Sequence, residues 1–222
     1  MKESNRVQDA RLEGIVNDFL DKYFFNDGFE KVQWVTDRKK QISGIDIVLS
    51  SKKFGVEDAN VDAKSAVKYS DRYLGTYSLE LSFINKNGVE STGWFVNDGL
   101  STEYYFLLYP RSKKHYTEME SPQDIDYIDY YLVEKKELMK FFESRGYTKE
   151  RLMDVSKGMR KTFNELDLEG KLPENRKYIE NSDSENFHFS LSGHLAEQPI
   201  NIVLKRSVYD RYSKAKGRIE KK

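Results

Sequence analysis

Cysteine is absent from the 222 residues. That excludes disulfides, a thiol nucleophile and every zinc site built on thiolates. Histidine is nearly absent, with His115, His188 and His194 the three in the chain. Their spacing matches neither HExxH, nor a paired-helix zinc site, nor a catalytic triad, so each reads as a structural or surface residue. No glycine-rich phosphate loop and no GxSxG elbow occurs, which removes P-loop and α/β-hydrolase chemistry. No apolar run approaches the ~18 residues of a membrane helix. The opening MKESNRVQDARLE carries no apolar segment of the secretory kind. A cytoplasmic protein with no membrane partner is the expectation. Internal repeats and low-complexity segments are missing too. Net charge is also missing: 37 basic and 37 acidic residues cancel, so overall charge does not advertise nucleic-acid binding.

What the chain does contain is aromatic and charged. Hydrophobic residues make up 38% and charged residues 33%, with 15 Tyr and 13 Phe, so the core must be largely aromatic. The length suits one α/β domain, residues 1–222, with a core over 1–117 and a C-terminal elaboration over 118–222. The spacing of Leu12, Ile15, Val16, Phe19, Leu20 and Tyr23 predicts a helix over 7–25, ended by Asn26-Asp27-Gly28. Strands are predicted at 32–36, through Asp46 and through Asp62, with a hairpin turn at 37–40 and a polar connection at 50–58. Further strand-like runs are 77–83, 93–96 and 103–109, with an Asn-Gly type turn at 85–88. Residues 118–129, with five acids and no bases, read as a surface loop. Beyond it are predicted a strand at 127–133, helices at 134–144 and 149–161, a loop at 180–185, paired strands at 187–191 and 200–204, and a helix at 208–216. Residues 205–222 hold eight Lys/Arg against two Asp/Glu, either a phosphate-contacting segment or a solvated, frayed tail.

Two apolar runs are each interrupted by one aspartate: Gly44-Ile45-Asp46-Ile47-Val48-Leu49 and Asn60-Val61-Asp62-Ala63-Lys64. Side chains alternate along a strand, so Asp62 and Lys64 point the same way. A carboxylate inside Ile-Asp-Ile is costly to desolvate without a partner. If the runs are neighbouring strands, Asp46, Asp62 and Lys64 converge, and two carboxylates beside an amine suit a hard divalent cation. Glu13 lies on the edge of the first helix's apolar stripe, with Asp9 one turn earlier on the same flank. Glu80, between Leu79 and Leu81, is another carboxylate in an apolar strand, reaching either the same site or water. Trp94, Tyr104, Tyr105 and Phe106 are either core or a platform for bases.

Asp46 followed by Asp62-Ala63-Lys64 resembles the D…(D/E)xK signature of the PD-(D/E)xK nucleases, the restriction-endonuclease-like superfamily, over roughly residues 7–110. Ile45 stands where the family's usual proline precedes the first aspartate. Residues 65–75 are short and poorly periodic where members usually place a helix. The resemblance implies an α/β fold with a restriction-endonuclease-like core, a mixed central sheet flanked by helices. It implies Mg²⁺, with Mn²⁺ able to substitute, held by Asp46, Asp62 and the backbone carbonyl of Ala63. It implies Glu13 completing the site (Asp9 its rival) and Lys64 orienting a water or stabilising the transition state. DNA is the implied substrate, RNA a further possibility, and a homodimer suits a duplex cutter. Two other readings stay open: an inactive nucleic-acid- or partner-binding module on this fold, and a structural protein in which Asp62 and Lys64 merely pair.

Overall fold

The structure, a computed structural model, describes residues 5–221 apart from Asp27 and Ser184, and the backbone alone for Asn5, Arg6, Asn181 and Ser182. The expected leader-free opening at residues 1–4, the middle of the Asn26-Asp27-Gly28 turn and Ser184 of the expected 180–185 loop lie outside the described residues. The protein is mixed α/β, and its chain separates into two interleaved compact units. Residues up to 75, 101–134 and from 212 onward form the first; residues 76–100 and 135–211 form the second. The chain therefore leaves the first unit twice and returns twice, where the sequence suggested one domain elaborated after residue 117.

The first unit is a helix on a six-stranded sheet. In chain order it contains α1 (Asn5–Tyr23), β1 (Lys31–Trp34), α2 (Arg38–Ile42), β2 (Ile47–Ser51) and β3 (Val56–Ser65). After the first excursion, numbered through β4 (Thr76–Ile84) and β5 (Glu90–Thr92), come β6 (Tyr104–Arg111) and β7 (Tyr127–Glu134). The second excursion carries α3 (Lys135–Glu143), α4 (Lys149–Leu168), β8 (Lys177–Asp183), β9 (Phe187–Ser192), β10 (Ile200–Lys205) and α5 (Arg206–Tyr212). The chain then returns as β11 (Ser213–Glu220).

Leu12, Ile15, Val16, Phe19 and Leu20 fall on one face of α1 and are buried against Ile47, Leu49, Val61, Phe106, Leu108 and Leu132 of the sheet. Each such side chain contributes about 1.5–3 kcal/mol on burial, so this stripe holds α1 down. Just past α1, the Phe24 ring meets Phe25, Phe29, Phe54, Phe106 and Tyr130, the aromatic core the composition requires. The strand order is β1-β2-β3-β6-β7-β11. β3 and β6 are parallel; every other neighbouring pair is antiparallel. Parallel neighbours need a long crossover, and here that crossover contains the first excursion.

Several expectations differ locally. Residues 37–40 open a short helix instead of a hairpin turn, because the Asp37 carboxylate accepts from the Lys39 and Lys40 amides at 2.8 and 3.0 Å and so caps α2. The 50–58 connection is tighter than expected, since β2 runs to Ser51 and β3 starts at Val56. The acidic 118–129 segment is anchored, with Met119, Ile125 and Ile128 buried in the core and Asp124 paired with Lys114 at 2.6 Å. The basic C-terminal segment is no frayed tail. Only its first part is helical; the rest is β11, paired along β7, with Ala215 and Ile219 in the core and Lys214, Lys216 and Arg218 exposed between them.

The second unit is an antiparallel sheet of order β5-β4-β10-β9-β8 with α4 packed on it through Leu152, Met159 and Phe163. The expected strand at 93–96 is a turn, in which Phe95 stacks edge-on with Phe142 of α3 at 5.6 Å. Gly93 is required there: a Cβ would lie 2.4 Å from the Glu80 carbonyl oxygen. The 180–185 stretch is mostly strand β8, and the pairing of β9 with β10 is as expected. The expected helix 149–161 extends to Leu168. Among the described residues no helix is long and apolar enough to cross a membrane.

Candidate functional site

Neighbouring strands bring the two aspartates together. Ile47 pairs with Val61 across β2 and β3, and both side chains enter the α1 core. Alternation along β3 turns Asp62 to the sheet face away from that core, and Asp46, just before Ile47 on the neighbouring strand, reaches it through its side chain. Asp46 precedes β2 by one residue, where the backbone turns so that its amide and carbonyl engage opposite neighbours. Its amide donates to the Val61 carbonyl at 2.9 Å and its carbonyl accepts from the Val35 amide at 2.8 Å. The turn leading into it needs Gly44, whose φ is +75°, a value most side chains resist. That turn is held by the segment leading into β6: the Ser101 amide donates to the Ser43 carbonyl and the Thr102 hydroxyl to the Gly44 carbonyl, at 2.8 and 2.7 Å.

The side chains then close on one another. Asp46 Oδ2 accepts from the Ala63 amide at 2.9 Å. Lys64 Nζ lies 2.8 Å from Asp62 Oδ1. The Asp46 carboxyl lies beside that of Asp62. Asp62 is 2% exposed. Its carboxyl is pushed up to about 7 by burial, with the nearby Asp46 adding to the rise and the Lys64 ammonium opposing it. The Lys64 ammonium offsets part of the charge that the two acids bring together.

Glu13 approaches from α1. It is exposed, but protein crowding raises its carboxyl above the usual range, assisted by the charges of Asp46 and Asp9 and opposed by Lys64. Its rival Asp9 is engaged elsewhere, 2.6 Å from Lys68. Glu80 sits half-buried on β4 of the second unit. Tyr105 is the cross-strand neighbour of Asp62. Burial, and then the Asp62 charge, push its phenol upward. Tyr105 and Phe106 are buried core and offer no platform for bases; Tyr104 packs at the core's edge, and Trp94 lies in the second unit.

Among the described residues no three His, Asp or Glu side chains gather closely enough to form a metal cage by themselves. A hard ion such as Mg²⁺ rarely uses one; it keeps several waters and takes one or two carboxylates plus substrate oxygens. A buried Asp62 carboxyl with the half-buried Asp46 carboxyl beside it fits that donor set, and the Ala63 carbonyl is on the adjacent backbone.

The sequence did not single out Thr102, Ser101 and Tyr105 as neighbours of these acids. Only the β3–β6 pairing places them there, and that pairing skips nearly forty residues of chain. Also unflagged is the segment after Lys64, where Tyr69 and Tyr73 are 45% and 70% exposed and the Arg72 guanidinium lies 5.2 Å from the Tyr69 ring centroid. Comparison of the chain with protein-family models, with curated proteins and with solved structures finds no match in any of the three.

Proposed function

We propose that the protein is a metal-dependent nuclease hydrolysing DNA phosphodiester bonds, with Asp46, Asp62, Lys64 and Glu13 as its catalytic group. The observation that carries this is the approach of the Asp46 carboxylate, bonded to the Ala63 amide at 2.9 Å, to Asp62, with Lys64 ion-paired beside it. The surrounding frame supports it: the chain opens with a helix followed by three strands, the acids on the second and third, the order that the resemblance implies. Mg²⁺ or Mn²⁺ would be held by Asp46, Asp62 and the Ala63 carbonyl. When bound, such an ion lowers the pKa of a coordinated water and offsets charge on the phosphate. Lys64 donates hydrogen bonds to the attacking water or to the phosphate oxygen that gains charge. Glu13, with its raised affinity for a proton, accepts one from that water. Exposed Tyr69, Arg72 and Tyr73 suit contact with the substrate strand, guanidinium to phosphate and rings to bases.

A second reading, an inactive nucleic-acid- or partner-binding module on the same frame, is favoured by one observation: Lys64 already pairs directly with Asp62. Plasmid and linear DNA incubated with Mg²⁺ separate the two. Cleavage is expected to need the metal, to stop in EDTA, and to fall by about 10²–10³ in Lys64→Ala and at least as far in Asp62→Ala. Cleavage that survives EDTA or either substitution removes the nuclease reading. Salt-sensitive DNA binding without cleavage establishes the second.

A further inference from the structure

The first unit has a cleft that shares no residue with the acid cluster. It has a volume of about 390 Å³, within the range of small-ligand sites. Its walls are the Tyr23, Phe54 and Tyr130 rings, and Lys53, Arg218 and Lys221 stand at its rim against a single acid, Glu220. Two more cations border it: Lys22 Nζ lies 5.1 Å from the Tyr23 ring centroid, and the Lys214 side chain lies against Gly55 beside Phe54. Arg218 is held in place by Asp129 at 2.8 Å and lies over the Tyr127 ring at 3.8 Å. Lys221 donates to the Gln123 carbonyl at 2.6 Å. These two cations are thus positioned, while the chain as a whole has no net charge to spare.

Flat rings below and cations around the opening recognise a flat, π-faced ligand that carries negative charge. We propose that this cleft binds a nucleotide, its base against the aromatic wall and its phosphate at Lys53, Arg218 and Lys221. The nucleotide is either free or part of a nucleic-acid strand. The geometry is independent of the hydrolytic cluster, and the proposal shares with that reading only the choice of nucleic acid as ligand. β11 and the residue that follows it supply two of the three rim cations, which assigns a use to the basic C-terminal segment.

The test is fluorescence anisotropy of the full chain with a labelled single-stranded DNA oligonucleotide in EDTA, where no cleavage occurs, and with thymidine monophosphate as competitor. Wild type is expected to bind, with an affinity that falls as salt rises. The surface double variant Lys53→Glu, Lys221→Glu is expected to bind at least about tenfold more weakly, the loss of two phosphate contacts. Asp62→Asn is expected to bind as wild type, even though it cannot cleave. Competition by the mononucleotide assigns the cleft to a single nucleotide; oligonucleotide binding without it assigns the cleft to a strand. Equal binding by wild type and the double variant, or no binding of either probe, overturns the proposal. Loss of binding in Asp62→Asn overturns it too, because the bound DNA would then lie at the acids.

Discussion

The Ala63 amide donates to the Asp46 carboxylate across 2.9 Å, so a backbone group of the third strand fixes the side chain that faces Asp62. This contact separates two roles of Asp46 that alanine replacement alone would merge. Asp46→Asn keeps an acceptor oxygen for the amide but loses the charge. Asp46→Ala leaves the amide without its partner, which costs about 1–3 kcal/mol where water cannot replace it. The expected outcome is loss of cleavage in both variants, with urea denaturation near wild type for Asp46→Asn and clearly weaker for Asp46→Ala. Equal destabilisation by both would show that the contact does not position Asp46.

The proton that buried Asp62 retains makes stability depend on pH. The Asp62 carboxyl is raised from an unfolded value of 3.8 to about 7, chiefly by burial. Below the unfolded value both states hold the proton, and Asp62 contributes nothing to the pH slope. Between the two values the folded state holds a proton that the unfolded chain releases, so stability falls as pH rises, then levels off above about 7. Denaturation in EDTA across this range is expected to show that fall in wild type and a flatter profile in Asp62→Asn. Parallel profiles for the two proteins would mean that Asp62 is ionised throughout.

A divalent ion bound only by the folded state stabilises it by mass action. At a hundredfold excess over its dissociation constant the gain is about 2.7 kcal/mol, several degrees in melting temperature for a chain of this size. Mn²⁺ and Mg²⁺ are expected to raise the wild-type melting temperature, and EDTA to restore the original value. Asp46→Asn, Asp62→Asn should remove the response. A shift that persists in the double variant places the ion elsewhere.

Much of this cluster was legible because strand periodicity is strict. The alternation that buries Val61 and Ala63 commits Asp62 and Lys64 to the other face, and the apolar residues around Asp46 mark it as a strand neighbour. The apolar stripe of α1 was equally plain. What was hidden depends on contacts distant in sequence. No local pattern announces that Tyr105 lies beside Asp62, or that Arg11 of α1 donates to the Met119 carbonyl and pins an acidic segment that resembled a surface loop. The interleaving of the units was hidden for the same reason, since strands β4 and β10 pair across more than a hundred residues. Lys214 to Lys221 misled differently. A charged run with every fourth residue apolar reads as a solvated end, yet Ala215 and Ile219 suffice to seat β11 on β7 once the core is present.

The turn before Asp46 provides a positioning test at residues that do not touch the acids. Thr102 is buried, and its hydroxyl reaches the Gly44 carbonyl at 2.7 Å. Thr102→Val keeps the shape and removes the donor, at a cost of about 1 kcal/mol. Gly44→Ala places a Cβ at a φ of +75° for a similar cost. Neither change alters the charge of the cluster, so Mn²⁺ should still raise the melting temperature of both variants. Because small displacements of reacting groups are costly, cleavage is expected to fall by about tenfold or more with KM little changed. If kcat stays at the wild-type level while stability drops, the turn supports the fold alone and does not aim Asp46.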